Sequence, residues 1–171
     1  MGPLERIHLS KVRGRKRQIR DRTYEELALL FPRLTPDNYK DVSKATRRYN
    51  CVGFAVGDER NWWEFGIYGG GIYWPDGLDY SLSSWIRIFT DLGFERTDDR
   101  SIEPGIEKIA IYVNLEDFSP SHAAKSDGTI WKSKLGGYQD IDHDSLEVLE
   151  GEEYAYGIVE CVLRRPLGQE V

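Results

Sequence analysis

"SPSHAAKSDGTIWKSKLG", Ser119 to Gly136, reads as a β-hairpin with a histidine near its start. Asp127-Gly128 is a strong two-residue hairpin signal, because that turn needs positive φ at both central positions. The flanks "HAAK" and "TIWKS" have the length and composition of strands. A two-residue turn would pair Ser126 with Thr129 and set Ser133 opposite His122, on the same face of the sheet. Upstream, "EKIAIYVN" (Glu107–Asn114) reads as a half-buried strand with Ile109, Ile111 and Val113 on one face. Downstream, "YAYGIVECVLRR" (Tyr154–Arg165) reads as a last, β-branched strand.

The region before the hairpin is patterned differently. "TYEELALLFPRL" has Thr23 as N-cap and Glu26 three residues on, a capping box, with Pro32 as the stop. "TPDNYKDVSKATRRYN" is polar and turn-rich and reads mostly as loop. In "YNCVGFAVGD", small and apolar residues follow Asn50 without a charge, as in a buried helix. Asn50 can cap that helix and Gly57 can end it, so Cys51 opens its first turn. "SLSSWIRIFTDLGF" carries Leu82, Trp85, Ile86, Phe89 and Leu92 at helical spacing. Helices followed by an antiparallel sheet predict an α+β fold.

Length and charge bound the function. The 171 residues suit one domain, read as 23–171 behind a tail of residues 1–22. That tail holds eight basic and two acidic residues, a net +6, which leaves −12 for the rest. No aromatics interleave the basic run to stack bases, so it reads as a solvated tail that docks on its own acidic domain, and nucleic acid is not the expected partner. No apolar stretch reaches membrane-helix length and the N-terminus has no apolar signal core, so no membrane partner and a cytoplasmic location are expected. Two cysteines, Cys51 and Cys161, and three scattered histidines form neither a disulfide framework nor a zinc pattern. Neither a metal nor a cofactor is expected.

Cys51 and His122 are the pair that could carry chemistry. A thiol at a helix N-terminus feels the positive end of the dipole, which lowers its pKa. Its backbone N–H can serve an oxyanion. A thiol also needs a base, and an imidazole on a later strand is a usual choice. The base in turn needs an orienter, for which Ser133 and His143 are the candidates. Asp140, Asp142 and Asp144 surround His143 and would favour its charged form, which argues against it as a neutral partner. Trp62, Trp63, Tyr68, Tyr73 and Trp74 lie on a long aromatic loop that could wall a groove above Cys51 or fill the core. Tyr49 and Asn50 are further neighbours of the site.

The order "YNC" opening a helix, "EKIAIY" as a strand, "SHAA" on the next, then "DGTIWKSKLG" and a following histidine resembles the papain-like cysteine peptidase and amidase superfamily in its NlpC-like permuted form. The longer string through "WW", "YWP", "GFE", "SKLG" and "LEG" resembles an uncharacterised bacterial domain family over about residues 23–165. The superfamily resemblance implies a papain-like core, a Cys51 nucleophile, a His122 base and a third polar residue at Ser133 or His143, acting on an amide or ester bond. Peptides and other amide-containing molecules are then the expected substrates, with a protein partner possible in principle. The alternative is a catalytically inactive module of the same fold, or a toxin- or effector-type domain, that uses the aromatic loop as its contact surface.

Overall fold

A computed structural model describes residues 19–168; the greater part of the basic tail, residues 1–18, lies outside them. The first described helix starts where the capping box says it should. Thr23 accepts the Glu26 N–H, Glu26 reaches back to the Thr23 N–H, and helix α1 (Tyr24–Leu30) follows. Just ahead of it, Arg20 and Arg22 both bind the Glu26 carboxylate, and the Arg22 backbone exchanges two hydrogen bonds with the Gln139 amide. The last residues of the basic segment are thus tied to the domain.

Seven strands form one antiparallel sheet in the order β1-β8-β7-β6-β5-β9-β4. They are β1 (Tyr39–Ser43), β4 (Glu95–Thr97), β5 (Ile106–Val113), β6 (Pro120–Ser126), β7 (Trp131–Lys134), β8 (Asp140–His143) and β9 (Ile158–Pro166). A separate parallel pair, β2 (Trp62–Trp63) and β3 (Ile72–Tyr73), sits in the aromatic segment. Helices α2 (Cys51–Val56) and α3 (Leu82–Thr90) complete the elements, with a 3-10 turn at Leu146–Leu149. The expected α+β arrangement of helices on a large antiparallel sheet is what the chain adopts.

Both faces of the sheet are covered. Leu27 of α1 and Phe31, which caps its C-terminus, pack with Ala110, Tyr112, Ala124, Trp131 and Ile141 on one face. Val52 and Ala55 of α2 and Trp85, Ile88 and Phe89 of α3 pack with Ile109, Ile111, Ala123 and Leu163 on the other. The strand alternation of β5 explains the division, since successive side chains point to opposite faces. It also corrects the half-buried reading of this strand: residues 108–113 are all buried, Lys108 included. Lys108 tolerates full burial because its ammonium meets the Asp99 and Ser101 carbonyls and the Glu103 carboxylate at 2.7–2.9 Å.

Four local expectations change. Tyr39–Ser43, expected as loop, is an edge strand whose largely exposed side chains show no alternation between apolar and polar. Residues around His143, also expected outside the sheet, form β8. The last strand begins at Ile158, not Tyr154, because Gly157 adopts φ +81° and turns the chain. The hairpin exists, but its turn is longer than two residues: Ser126 pairs with Trp131, and residues 127–130 form the loop. Asp127 holds that loop by accepting the Thr129 N–H and hydroxyl, and Ser126 accepts the Gly128 N–H.

Candidate functional site

The site is built around the start of α2. Asn50 has extended backbone and its Oδ1 accepts the Gly53 N–H at 3.2 Å, the capping role expected of it. The same amide clamps β2. Its Oδ1 also accepts the Trp63 N–H, and its Nδ2 donates to the Trp63 carbonyl at 2.8 Å. Gly53 permits this close packing, since a Cβ there would lie 2.7 Å from the Asn61 carbonyl oxygen. Gly57, at φ +87°, closes the helix after six residues.

Cys51 is therefore at the helix tip, partly buried. Its thiol is not the acidic one that the helix dipole alone would suggest. Burial pushes its pKa up to about 11, against the opposing pull of the Ala123 and Val52 backbone. Removal from water outweighs the partial charge of a two-turn helix. Ala123, whose backbone acts on the sulfur, is the residue that follows His122.

His122 is fully buried. Its ring lies flat on Tyr156, with centroids 4.0 Å apart and planes 1° from parallel, and edge-on to Tyr112 at 5.4 Å. Nε2 is 2.9 Å from Ser133 Oγ, whereas Nδ1 has no hydrogen-bond partner. Burial first, and the neighbouring His143 second, hold its pKa well below the usual histidine value. The imidazole is neutral at physiological pH.

Ser133 also bonds His143, with Oγ 2.8 Å from Nε2, and His143 Nδ1 lies 2.9 Å from the Ser145 carbonyl oxygen. In the true register Ser133 is diagonal to His122, not opposite it, and the hydroxyl still reaches. The expectation that three aspartates would charge His143 fails: burial outweighs Asp142 and Asp144 and brings its pKa down to about 4. The fold thus gathers three of the four residues singled out for chemistry, His122, Ser133 and His143, into one hydrogen-bonded row. Cys51 touches that row through the Ala123 backbone and makes no hydrogen bond to His122.

Helix α2 and the His122 ring lean on opposite faces of the sheet. The ladder between β6 and β7 joins only Lys125 to Lys132 and Ser126 to Trp131. Between Pro120 and Ala124 the β7 side of β6 carries no ladder, and it is there that Cys51 meets Ala123.

The domain family described as "Domain of unknown function (DUF7689)" matches residues 40–164. The chain belongs to that family. The DUF7689 match contains Cys51, His122, Ser133 and His143 and leaves out α1. No curated protein and no solved structure matches the chain.

The aromatic residues divide. Trp62 is buried in the α1-side core, and Tyr49 is also buried, over the Phe54 ring. Trp63 is fixed edge-on to Tyr73 and donates to Asp58, and Trp74 donates to the Leu78 carbonyl. Tyr73 is half exposed, and Tyr68 is almost fully so. Of the candidates for contact with a ligand, Trp62 serves the interior.

Tyr156 is the site residue that sequence reasoning misses, since "YAYG" reads as part of a strand. The signal present was Gly157, which separates Tyr156 from β9. Among the described residues no group of three or more His, Cys, Asp or Glu side chains could hold a metal ion, and no helix is long and apolar enough to cross a membrane.

Proposed function

We propose that this member of the DUF7689 family is a cysteine hydrolase of the peptidase or amidase type, on a papain-like, NlpC-like core. One observation carries the reading. His122 presents a buried, unpartnered Nδ1 immediately before Ala123, the residue whose backbone acts on the Cys51 sulfur. Support also comes from the order of elements: a helix that opens on cysteine, then a strand whose histidine begins the hairpin.

In this reading the resting pair is a neutral thiol and a neutral imidazole. The thiol proton moves to His122 Nδ1 as sulfur attacks the carbonyl carbon, and the Cys51 backbone N–H steadies the oxyanion. The C–N or C–O bond then breaks, and the imidazolium returns its proton to the leaving group. Water cleaves the thioester and restores the thiol. Thiolate is made during attack and not beforehand, which reconciles a raised thiol pKa with nucleophilic chemistry.

The test is acylation by p-nitrophenyl acetate followed by intact-mass and peptide mapping. An acetyl group on Cys51 that is lost in Cys51→Ala and at least about tenfold slower in His122→Gln supports the enzyme. Acylation that ignores His122 overturns it. A second reading, an inactive binding module, is favoured by the high thiol pKa and by Phe65, Tyr68 and Tyr73, which stand exposed on the β2–β3 segment. It predicts no adduct that depends on His122.

A further inference from the structure

The row His122–Ser133–His143–Ser145 has a direction, and that direction determines which nitrogen of His122 is basic. A backbone carbonyl can only accept a hydrogen bond. His143 Nδ1, 2.9 Å from the Ser145 carbonyl oxygen, must therefore carry the proton. Burial keeps His143 neutral, so its Nε2 is a bare acceptor. The only hydrogen that can fill the 2.8 Å gap to that nitrogen is the hydroxyl hydrogen of Ser133. Ser133 has then spent its donor, and its oxygen can meet His122 Nε2 at 2.9 Å only by accepting. His122 must be protonated on Nε2. Its Nδ1 carries a lone pair, and that is the atom with no partner.

We infer that Ser133 and His143 act in series as positioning residues that lock His122 in the Nε2-protonated tautomer, leaving the unpartnered Nδ1 as the basic atom. The inference deepens the hydrolase reading, because a free imidazole would divide its time between two tautomers and only one presents a base at Nδ1. The relay itself follows from hydrogen-bond chemistry and stands whether or not the protein is a hydrolase. Tyr156 and Tyr112 complete the constraint by preventing rotation of the ring. The relay runs across three strands, β6, β7 and β8, and ends on a main-chain atom that cannot titrate, so its polarity is fixed by the fold.

Nitrogen-15 correlation spectra of the histidines in the full chain test this directly. The two rings must show opposite tautomers: a pyridine-type Nδ1 with a pyrrole-type Nε2 for His122, and the reverse for His143. Assignment uses His122→Gln and His143→Gln. Ser133→Ala should move the His122 nitrogens toward averaged positions, and Ser133→Thr, which keeps the hydroxyl, should restore them. In the acylation assay, Ser133→Ala should slow modification of Cys51 by on the order of tenfold or more, and Ser133→Thr should recover it. Like tautomers in the two rings, or a proton on His122 Nδ1, overturn the relay, and the wild-type spectra alone decide this if a variant fails to fold. Opposite tautomers with acylation that ignores His122 uphold the relay and reject the hydrolase.

Discussion

The His122 imidazole lies against the Tyr156 phenol ring with a 1° angle between the planes, so that the stack takes up a face of the ring and leaves its nitrogen-bearing edge for hydrogen bonding. Tyr156 owes its place to the turn that follows it. Gly151 and Gly157 exchange backbone hydrogen bonds at 2.9 and 3.0 Å, and the Tyr156 N–H donates to the Leu149 carbonyl. Replacing Tyr156 by Leu keeps apolar volume and removes the stack. The cost should be about 1–2 kcal/mol in urea unfolding, with loss of the single His122 tautomer in the nitrogen spectra. Unchanged histidine spectra in Tyr156→Leu would show that the stack does not orient the ring.

Gly157 cannot be replaced cheaply. It sits at φ +81°, and a Cβ would fall 1.9 Å from the Val113 carbonyl oxygen at the end of β5. Gly157→Ala should destabilise the fold by more than about 3 kcal/mol, because strain and a backbone clash add. Gly77, also at positive φ but with open space around it, is the control. Its alanine variant should cost about 1 kcal/mol. Equal midpoints for the two variants would contradict the clash.

Acid should unfold this protein through its two interior histidines. Burial lowers the folded pKa of His143 to about 4 and that of His122 well below normal, from an ordinary 6.5. Below that value the unfolded chain binds protons that the folded chain refuses. Stability is therefore fully present above about pH 6.5 and falls as pH drops toward 4, by about 1.4 kcal/mol per pH unit for each histidine. Urea midpoints measured between about pH 5 and 7 check it. His143→Gln should flatten the slope, although its absolute stability is lower.

The alkaline side has the opposite sign. The Cys51 thiol ionises near 11 in the fold and near 9 when exposed. The unfolded chain loses its proton first, so stability declines from about pH 9 to 11. Alkylation of Cys51 by iodoacetamide under native conditions should rise with a midpoint near 11 and not near neutrality. Cys51→Ala should abolish this alkylation and lessen the decline, to which Cys161, Tyr112 and Tyr156, whose pKa values burial also raises, contribute with the same sign.

Asn50 joins two structures at once. Asn50→Asp keeps the acceptor for the Gly53 N–H and loses the donor to the Trp63 carbonyl. Asn50→Ala loses both. We expect losses of about 1 kcal/mol and about 2–3 kcal/mol respectively, read as shifts in urea midpoint. A faster hydrogen exchange at Trp63 in Asn50→Ala, and not in Asn50→Asp, which keeps the acceptor for that N–H, would localise the change to β2.

Local signals carried far. The capping box at Thr23 and Glu26, the Asn50 cap, Gly57 and the apolar spacing of Leu82 to Leu92 all mark elements that form, because each depends on contacts within one or two turns. Tyr39–Ser43 was illegible because an edge strand with exposed side chains owes its form to β8, remote in the chain. The Asp127-Gly128 turn misled for a related reason. Gly128 packs against the 103–106 segment, and a Cβ would lie 2.8 Å from the Glu103 carbonyl oxygen. Tertiary packing chose a longer loop than the dipeptide prefers. At the site, the residue types were legible at Cys51, His122, Ser133 and His143, but their electrostatics were not. Helix dipole and aspartate charge are visible in a sequence, whereas loss of water is a property of the finished interior, and it reversed the expected direction at both Cys51 and His143.

The pairing of β1 with β8 has a consequence for how the molecule comes into being. Tyr39 aligns with His143, so nearly every other element lies inside the loop that this contact closes. Closure of so long a loop carries a large entropic penalty and slows folding. On the ribosome, the thiol-bearing helix emerges long before the strand that terminates the histidine row. A nascent chain thus holds Cys51 without the row His122–Ser133–His143, which forms only once β8 has been made.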